Sequence, residues 1–443
     1  MRRVAGVPGV DFAVEDVRGI FPEEVEIAPL DRPVDATVRV PGSKSVTNRA
    51  LVVSALAEGT STLTNALFSD DSYWLMRALV QLGFDVRADR EAGIVEIAGR
   101  GGSIPRAGVE VFVGNAGTVA RFLPPALALG EGPYRLDGVP RMRERPIADL
   151  VNAMRTLGAK VEYADKEGRF PLVVRGGGIV GGEARVRGDS SSQFMSGLLM
   201  AAPYAGREVV LSVEGTLVSG PYVEMTTGVM RAFGVEVEED DRRYAVSPAT
   251  YRARRYAVEP DASAASYFMA AAAVTGGRVE IPGLGRGSSQ GDLRFAQVLA
   301  EMGSEVELGE DAVRVRGPER LSGVEVDMNE FSDTMMTLAA IAPFADSPTV
   351  IRNVEHARHQ ETDRIAAVVA ELRRLGVRVE ERRDGLMVEP GDVCPGLVRT
   401  YGDHRMAMAF AVTGLVAEGI RIQDPGCVTK TFPDYFDRLE ALR

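Results

Sequence analysis

Apolar residues recur at helical spacing in short segments that each run into a glycine and then into a strand-like stretch. In LMRALVQLGFDV, Leu75, Leu79 and Leu82 fall at helical intervals before Gly83. LVNAMRTLGAKVEY, MTTGVMRAFGVEVE, FAQVLAEMGSEVEL and VVAELRRLGVRVEE repeat the pattern, and FDRLEALR begins it again. The closing glycines Gly83, Gly158, Gly234, Gly303 and Gly376 lie 75, 76, 69 and 73 residues apart, a regularity that marks an internal repeat. Each is expected just past a helix C-terminus, where a left-handed residue ends the helix.

A second series precedes these helices: SALAEGTSTLTN, ALALGEGPYRLDG, LMAAPYAGREVVLSVEG, AAAAVTGGRVEIPG, AAIAPFADSPTVIRN and VTGLVAEGIRIQDP. Each reads as a helix end, small residues and a short strand. Together the two series predict a βαβαββ unit of roughly 70 to 75 residues, six times over. The sixth copy stops after its second helix, at Arg443, and the unassigned strand-rich piece is VEIAPLDRPVDATVRV, Val25 to Val40. The predicted fold class is α/β, with two domains of three units each that close on a central cleft. Residues 42–259 are expected to hold units one to three. Residues 25–41 with 260–443 hold units four to six, completed by the N-terminal strands. Residues 1–24 are expected to form a poorly ordered extension. The chain then crosses between domains near Pro41-Gly42 and near Glu259-Pro260, which predicts a hinge.

The first helix of every unit begins with polar residues: GSKS, GNAGT, GDSSSQ, PDASAAS, FSDTMM and YGDHRM. Helix capping accounts for the Ser, Asn and Asp residues among them. It does not account for Lys44, Arg49, Arg121, Arg405 or the run RMRERP at 141–146. In PGSKS, which follows the β-like run Ala36 to Val40, Pro-Gly signals a turn and Ser43 can cap the next helix. Lys44 then falls in the first turn, where the helix dipole favours anions. An anion held between the lysine and the free backbone N–H groups relieves that mismatch. Cations gathered at helix starts point to a polyanionic substrate. The Met and Ala stripes behind them (SYFMAAAAV, RMAMAFAV) read as core helices.

Composition narrows the class. The chain has 443 residues and a net charge of −12, against nucleic-acid or anionic-membrane binding. No apolar run approaches the ~20 residues of a membrane span. MRRVAGVPGVDFAVEDV lacks the apolar segment of a secretory signal. Cys394, Cys427, His356, His359 and His404 show neither a disulfide framework nor metal-ligand spacing. A cytoplasmic protein without metal is expected.

The motifs PGSKSVTNRAL, GNAGTVAR, RMRERPI, SSQFMSGLLMAAP, SGPY, PDASAASYFMAAAAV, QGDLRFA, ETDRIAA, DHRMAMAF and KTFPDYF stand in that order. In them the sequence resembles the 5-enolpyruvylshikimate-3-phosphate synthases of the enolpyruvyl transferase family, over nearly all of residues 25–440. The resemblance implies two domains of three βαβαββ units that close on substrate. It also implies a cofactor-free transfer of the enolpyruvyl group of phosphoenolpyruvate to the 5-hydroxyl of shikimate 3-phosphate, by addition and elimination, in the shikimate pathway. A monomer is implied as well. Matched by motif, shikimate 3-phosphate would meet Lys44, Ser45, Arg49, Ser191, Ser192, Gln193, Ser219 and Tyr222. Phosphoenolpyruvate would meet Lys44, Asn115, Gly117, Arg141, Gln193, Arg364, Arg405 and Lys430. Asp333, also among the implied substrate contacts, would take the hydroxyl proton, Glu361 would serve as acid and then base at the methylene carbon, and Lys44 counts with them as catalytic. Thr118, Arg121, His356, Gln360 and His404 complete the implied set.

One stretch departs from the family pattern. Where the family commonly reads N-W-R-V-K-E-T-D-R, this chain has HARHQETDR, so His356 replaces an acceptor-binding Asn and Gln360 a Lys. Loss of that ammonium weakens attraction for a phosphorylated acceptor, and His356 or His359 is expected to restore positive charge. The departure also admits a paralogue that acts on another cyclitol. The sister transferase acting on UDP-N-acetylglucosamine fits less well, because Ser45 follows Lys44 and RMRERP contains no Cys.

Overall fold

A computed structural model describes residues 21–443 apart from Ser190 and Thr216. They fall into two compact units, residues 42–258 and residues 21–41 with 259–443. Of the extension expected over residues 1–24, residues 1–20 lie outside the described residues. Phe21 packs against the core of the second unit, and Glu24 opens a strand.

The repeat appears as one small sheet per unit. In the first half the sheets run Arg255–Ala257, Glu58–Thr64, Ile94–Arg100, Asp85–Asp89; then Glu110–Phe112, Tyr134–Asp137, Leu172–Val174, Val161–Tyr163; then Gly182–Arg187, Val209–Glu214, Arg243–Val246, Glu238–Asp240. In each, the first two strands are parallel and the other pairings antiparallel. The second half repeats this order with Asp35–Thr37, Arg278–Pro282, Ala312–Arg316, Glu305–Leu308 and with Glu325–Asp327, Thr349–Arg352, Gly385–Val388, Val379–Arg382. Its last sheet has three strands, Gly396–Val398, Ile420–Gln423 and Glu24–Ile27.

At the seams the chain borrows strands across long distances. Glu24–Ile27 pairs antiparallel with Ile420–Gln423 and finishes the sixth sheet. Asp35–Thr37 instead lies parallel to Arg278–Pro282 and opens the fourth. The N-terminal segment therefore serves two units of one half. The first sheet is opened by Arg255–Ala257, parallel to Glu58–Thr64, so the chain returns from the third unit to begin the first. The strand before Lys44 is Asp35–Thr37, shorter and earlier than the apolar run suggested.

The five repeat glycines have φ of +91°, +90°, +87°, +100° and +83°, at positions 83, 158, 234, 303 and 376. All are left-handed, the conformation in which a Cβ is strained, so the sequence period marks a backbone requirement.

Each half has its own core, and the first helix of each unit runs through it. Lys44–Leu56 is buried from Val46 onward, Gly117–Ala128 along its whole length, and Ala262–Thr275 through Ala273. A helix apolar on all sides is stable only when enclosed. Its N-terminal turn is where polar side chains can emerge from that enclosure. Several of the candidate site residues gather there.

Candidate active site

In the first half, the starts of the three units' first helices and of the second helix Pro221–Ala232 supply the cluster. Ser43 caps Lys44–Leu56 by accepting a hydrogen bond from Val46 N–H. Lys44 begins the helix, and its Nζ lies 4.0 Å from Asp71 Oδ2, in the first turn of Asp70–Gln81. That carboxylate offsets the misplaced cation, a partner the sequence reading did not find. One turn on, Arg49 is 1% exposed. Its guanidinium donates to Thr226 Oγ1 (2.7 Å), Ser45 O (2.9 Å), Ser196 Oγ (3.0 Å) and Tyr222 O (3.0 Å). The Phe122 and Tyr222 ring centroids lie 5.1 and 5.8 Å from it. Every one of these partners is neutral. Burial pulls the Arg49 pKa down to about 10, with the Tyr222 phenol opposing. A guanidinium held this way retains an uncompensated charge and favours an incoming anion.

The neighbouring starts are tied to this one. Asn48 Nδ2 donates to Thr118 Oγ1 at 2.7 Å, and Ser196 Oγ donates to Ser192 O at 3.1 Å. Ser191 caps Ser192–Ala201, accepting from Gln193 N–H. Gln193 Oε1 is buried without a hydrogen bond among the described residues, an acceptor lacking its donor. Ser219, at φ +53°, turns the chain into Pro221–Ala232, which carries Tyr222. Arg121 is buried and donates to Gly117 O, Met142 Sδ and Pro146 O. Asn115 and Gly117 lie at the start of Gly117–Ala128.

Arg141 lies in the short helix Pro140–Glu144. It is half exposed and ion-paired to Glu144 at 3.0 Å. In the same RMRERP run Arg145 is 6% exposed, and its guanidinium would sit 3.0 Å from a Cβ at position 117. The short helix Pro140–Glu144 ends at Arg145, where the backbone turns extended, and Pro146 follows.

In the second half the cations are paired with carboxylates. Arg364, 1% exposed, donates from Nε to Asp403 Oδ2 (2.8 Å), from Nη1 to Asp333 Oδ1 (2.9 Å) and from Nη2 to Glu361 Oε2 (3.0 Å). Nη1 also donates to Gln360 Oε1. Burial pulls its pKa down, but Asp403, Glu361 and Asp333 overcome this and hold it above the ordinary value. Arg405 Nη2 donates to Asp333 Oδ2 at 2.5 Å, and Lys430 Nζ lies 3.9 Å from Glu361 Oε1. Asp403 caps His404–Gly414 through Arg405 N–H, and its Oδ1 is 3.3 Å from the buried His404 Nδ1. The structure thus brings together Asp333, Gln360, Glu361, Arg364, His404, Arg405 and Lys430. Asp403, quoted in the YGDHRM motif but read as a cap, is the added member.

His356 corrects an expectation. Its Nε2 is 2.8 Å from Ser332 Oγ, and burial drives its pKa down to about 4, against the pull of the Asp333 carboxylate. The ring is neutral near pH 7 and supplies no charge in place of the missing lysine. Gln360 faces Arg364, where its carbonyl is a hydrogen-bond acceptor.

A profile of the family described as EPSP synthase (3-phosphoshikimate 1-carboxyvinyltransferase) matches residues 30–439. The chain belongs to the EPSP synthase family. A 3-phosphoshikimate 1-carboxyvinyltransferase of Trichormus variabilis is 54% identical over 418 residues, 94% of this chain and 98% of that one. One from Vibrio atlanticus is 46% identical over 425 residues, covering 95% and 99%. The solved EPSP synthase from Acinetobacter baumannii superimposes with a TM-score of 0.80 at 25% identity, covering 95% of this chain and 98% of that one. The enolpyruvyl transferase NikO from Streptomyces tendae, at 19% identity and a TM-score of 0.77 over 95% and 97%, shares the fold.

For a member of the EPSP synthase family the clusters have an immediate chemical sense. One half offers a buried guanidinium in neutral surroundings, suited to an anion. The other offers two carboxylates, Asp333 and Glu361, each held by cations, suited to proton transfer beside an anionic substrate. Among the described residues no His, Cys, Asp and Glu group fits a metal ion, and no helix is long and apolar enough to cross a membrane.

Proposed function

We infer that the protein transfers the enolpyruvyl group of phosphoenolpyruvate to the 5-hydroxyl of shikimate 3-phosphate and releases inorganic phosphate. The supporting observation is a family match that spans both halves while both charged clusters are intact. In this reading Lys44, Ser45, Arg49, Ser191, Ser192, Gln193, Ser219 and Tyr222 hold the acceptor. Lys44, Asn115, Gly117, Arg141, Gln193, Arg364, Arg405 and Lys430 hold the donor.

The ion pairs suggest how the base is released. Arg364 and Arg405 both donate to Asp333 and occupy its two carboxylate oxygens. A donor carboxylate that takes over these guanidinium hydrogen bonds loosens Asp333 at the moment the acceptor hydroxyl arrives. Asp333 then accepts the hydroxyl proton as the 5-oxygen bonds to C2 of phosphoenolpyruvate, and Glu361 gives a proton to C3. In the elimination Glu361 takes a proton back from C3, the double bond re-forms, and the C2–O bond to phosphate breaks. Closure of the two halves on substrate belongs to this reading. Small-angle scattering with and without shikimate 3-phosphate tests it, and an unchanged radius of gyration counts against it.

The deciding assay is phosphate release from phosphoenolpyruvate with shikimate 3-phosphate, run beside shikimate and UDP-N-acetylglucosamine. Turnover dependent on shikimate 3-phosphate is expected. Preference for either other acceptor overturns the assignment.

A further inference from the structure

The QGDLRFA motif is not used by the reaction as derived above, yet it is latched to the reacting cluster. Gln290 accepts from Ala262 N–H (3.0 Å) and donates to Pro260 O (2.7 Å), which fixes the turn Gly291–Arg294 against the start of Ala262–Thr275. This sets Asp292, 4% exposed, beside Ser263. The Ser263 hydroxyl donates to Asp292 Oδ2 and accepts from Arg405 Nη2 at 3.3 Å. The same Nη2 donates to Asp333. A continuous line runs Asp292, Ser263, Arg405, Asp333. We propose that Asp292 is a positioning residue for the donor-binding guanidinium of Arg405, acting through the Ser263 hydroxyl.

The proposal rests on the transferase reading, because it concerns the affinity of Arg405 for an anionic donor. Asp292 is faced by Ser263 and the helix cap Asp261 from one element. Asp333 faces it from the turn Asn329–Thr334, and Arg405 from His404–Gly414. On its own turn Arg294 is ion-paired to Glu330. Burial first, then the Asp333 carboxylate, push the Asp292 pKa up to about 7, with Arg405 and the Ser263 hydrogen bond opposing. Neutral Asp292 leaves Arg405 to Asp333 and the donor carboxylate. Ionised Asp292 strengthens Ser263 as an acceptor and draws Arg405 Nη2 away from both. Donor affinity is therefore expected to fall as pH rises through neutrality.

The test is steady-state kinetics of wild type, Asp292→Asn and Ser263→Ala from pH 6 to 8, varying phosphoenolpyruvate at saturating shikimate 3-phosphate. The donor's own phosphate titrates equally in every variant and cancels in the ratio. The wild-type KM for phosphoenolpyruvate is expected to rise about threefold or more over that range relative to Asp292→Asn, with kcat changing less. Ser263→Ala, a small substitution, cuts the line between Asp292 and Arg405, so its KM should follow the pH profile of Asp292→Asn while kcat stays within about twofold. Parallel pH profiles for wild type and Asp292→Asn, or a Ser263→Ala profile that keeps the wild-type slope, overturn the proposal while leaving the reaction standing. Absence of turnover by wild type overturns both.

Discussion

Arg49 and Arg364 are the two largest fully buried side chains described, one in each half, and their charges are treated in opposite ways. Arg49 meets hydroxyls, backbone carbonyls and aromatic rings, and its pKa falls to about 10. Arg364 meets three carboxylates and is held above its ordinary value. Burial acts in the same direction on both. The partners decide the sign, and the sign decides what each cation can do. The first site has room for an anion's charge, whereas the second must exchange one carboxylate for another.

Removing each cation should expose that contrast. Arg364→Met leaves Asp333, Glu361 and Asp403 facing one another without their shared cation, and should destabilise the protein by ~3–5 kcal/mol. Arg49→Met leaves hydroxyls and carbonyls without a donor but no carboxylate unpaired, so its loss should be smaller. Urea denaturation of the two variants measures the difference, and equal losses would break the comparison. Lys44→Ala should cost ~2–5 kcal/mol in kcat/KM if, as proposed, that cation serves both substrates. Near-normal turnover of this variant would remove Lys44 from the site.

The neutral His356 provides a pH test. Its folded-state pKa of about 4 lies below the ordinary 6.5, so the unfolded chain binds more protons between those values. Stability is therefore expected to rise with pH from 4 to 6.5 and to be lost as pH falls, by up to ~3 kcal/mol from this group. His356→Asn should flatten that part of the pH–stability curve, and an unchanged slope would contradict the neutral assignment. The smallest effect is expected from Gln360→Lys. An ammonium added near Arg364 meets a cluster already rich in cations, so shikimate 3-phosphate KM should fall by no more than ~1 kcal/mol equivalent. A large gain would mean that this half is less well compensated than its ion pairs indicate.

The repeat was legible because it rests on backbone necessity: a left-handed residue must follow each second helix, and glycine fills it five times. The completion of the sixth sheet was legible because its missing strands could be matched to one unassigned piece. The division of that piece was not, since Glu24–Ile27 and Asp35–Thr37 are too short for a period to tell which sheet each joins. The burial of Arg145 was hidden by its neighbours, because three arginines in RMRERP look alike until the helix end turns one of them inward. Lys44 was marked by its place at a helix start, while Asp71 could be found only through the packing of a second helix. His356 carried no sign of neutrality, because burial is a property of the folded neighbourhood.

The borrowed strands also impose a timetable on synthesis. Residues 42–258 form a continuous stretch whose sheets can all be paired soon after Ala257 leaves the ribosome. Glu24–Ile27 is made before any of it, yet its partner Ile420–Gln423 arrives roughly 400 residues later. At about 5–20 residues per second, that strand waits some 20–80 s with its edges unpaired. Asp35–Thr37 waits for Arg278–Pro282 in the same way. The half made first in sequence is thus finished last, and during that interval the nascent chain carries open strand edges that a chaperone can shield or a neighbouring chain can capture.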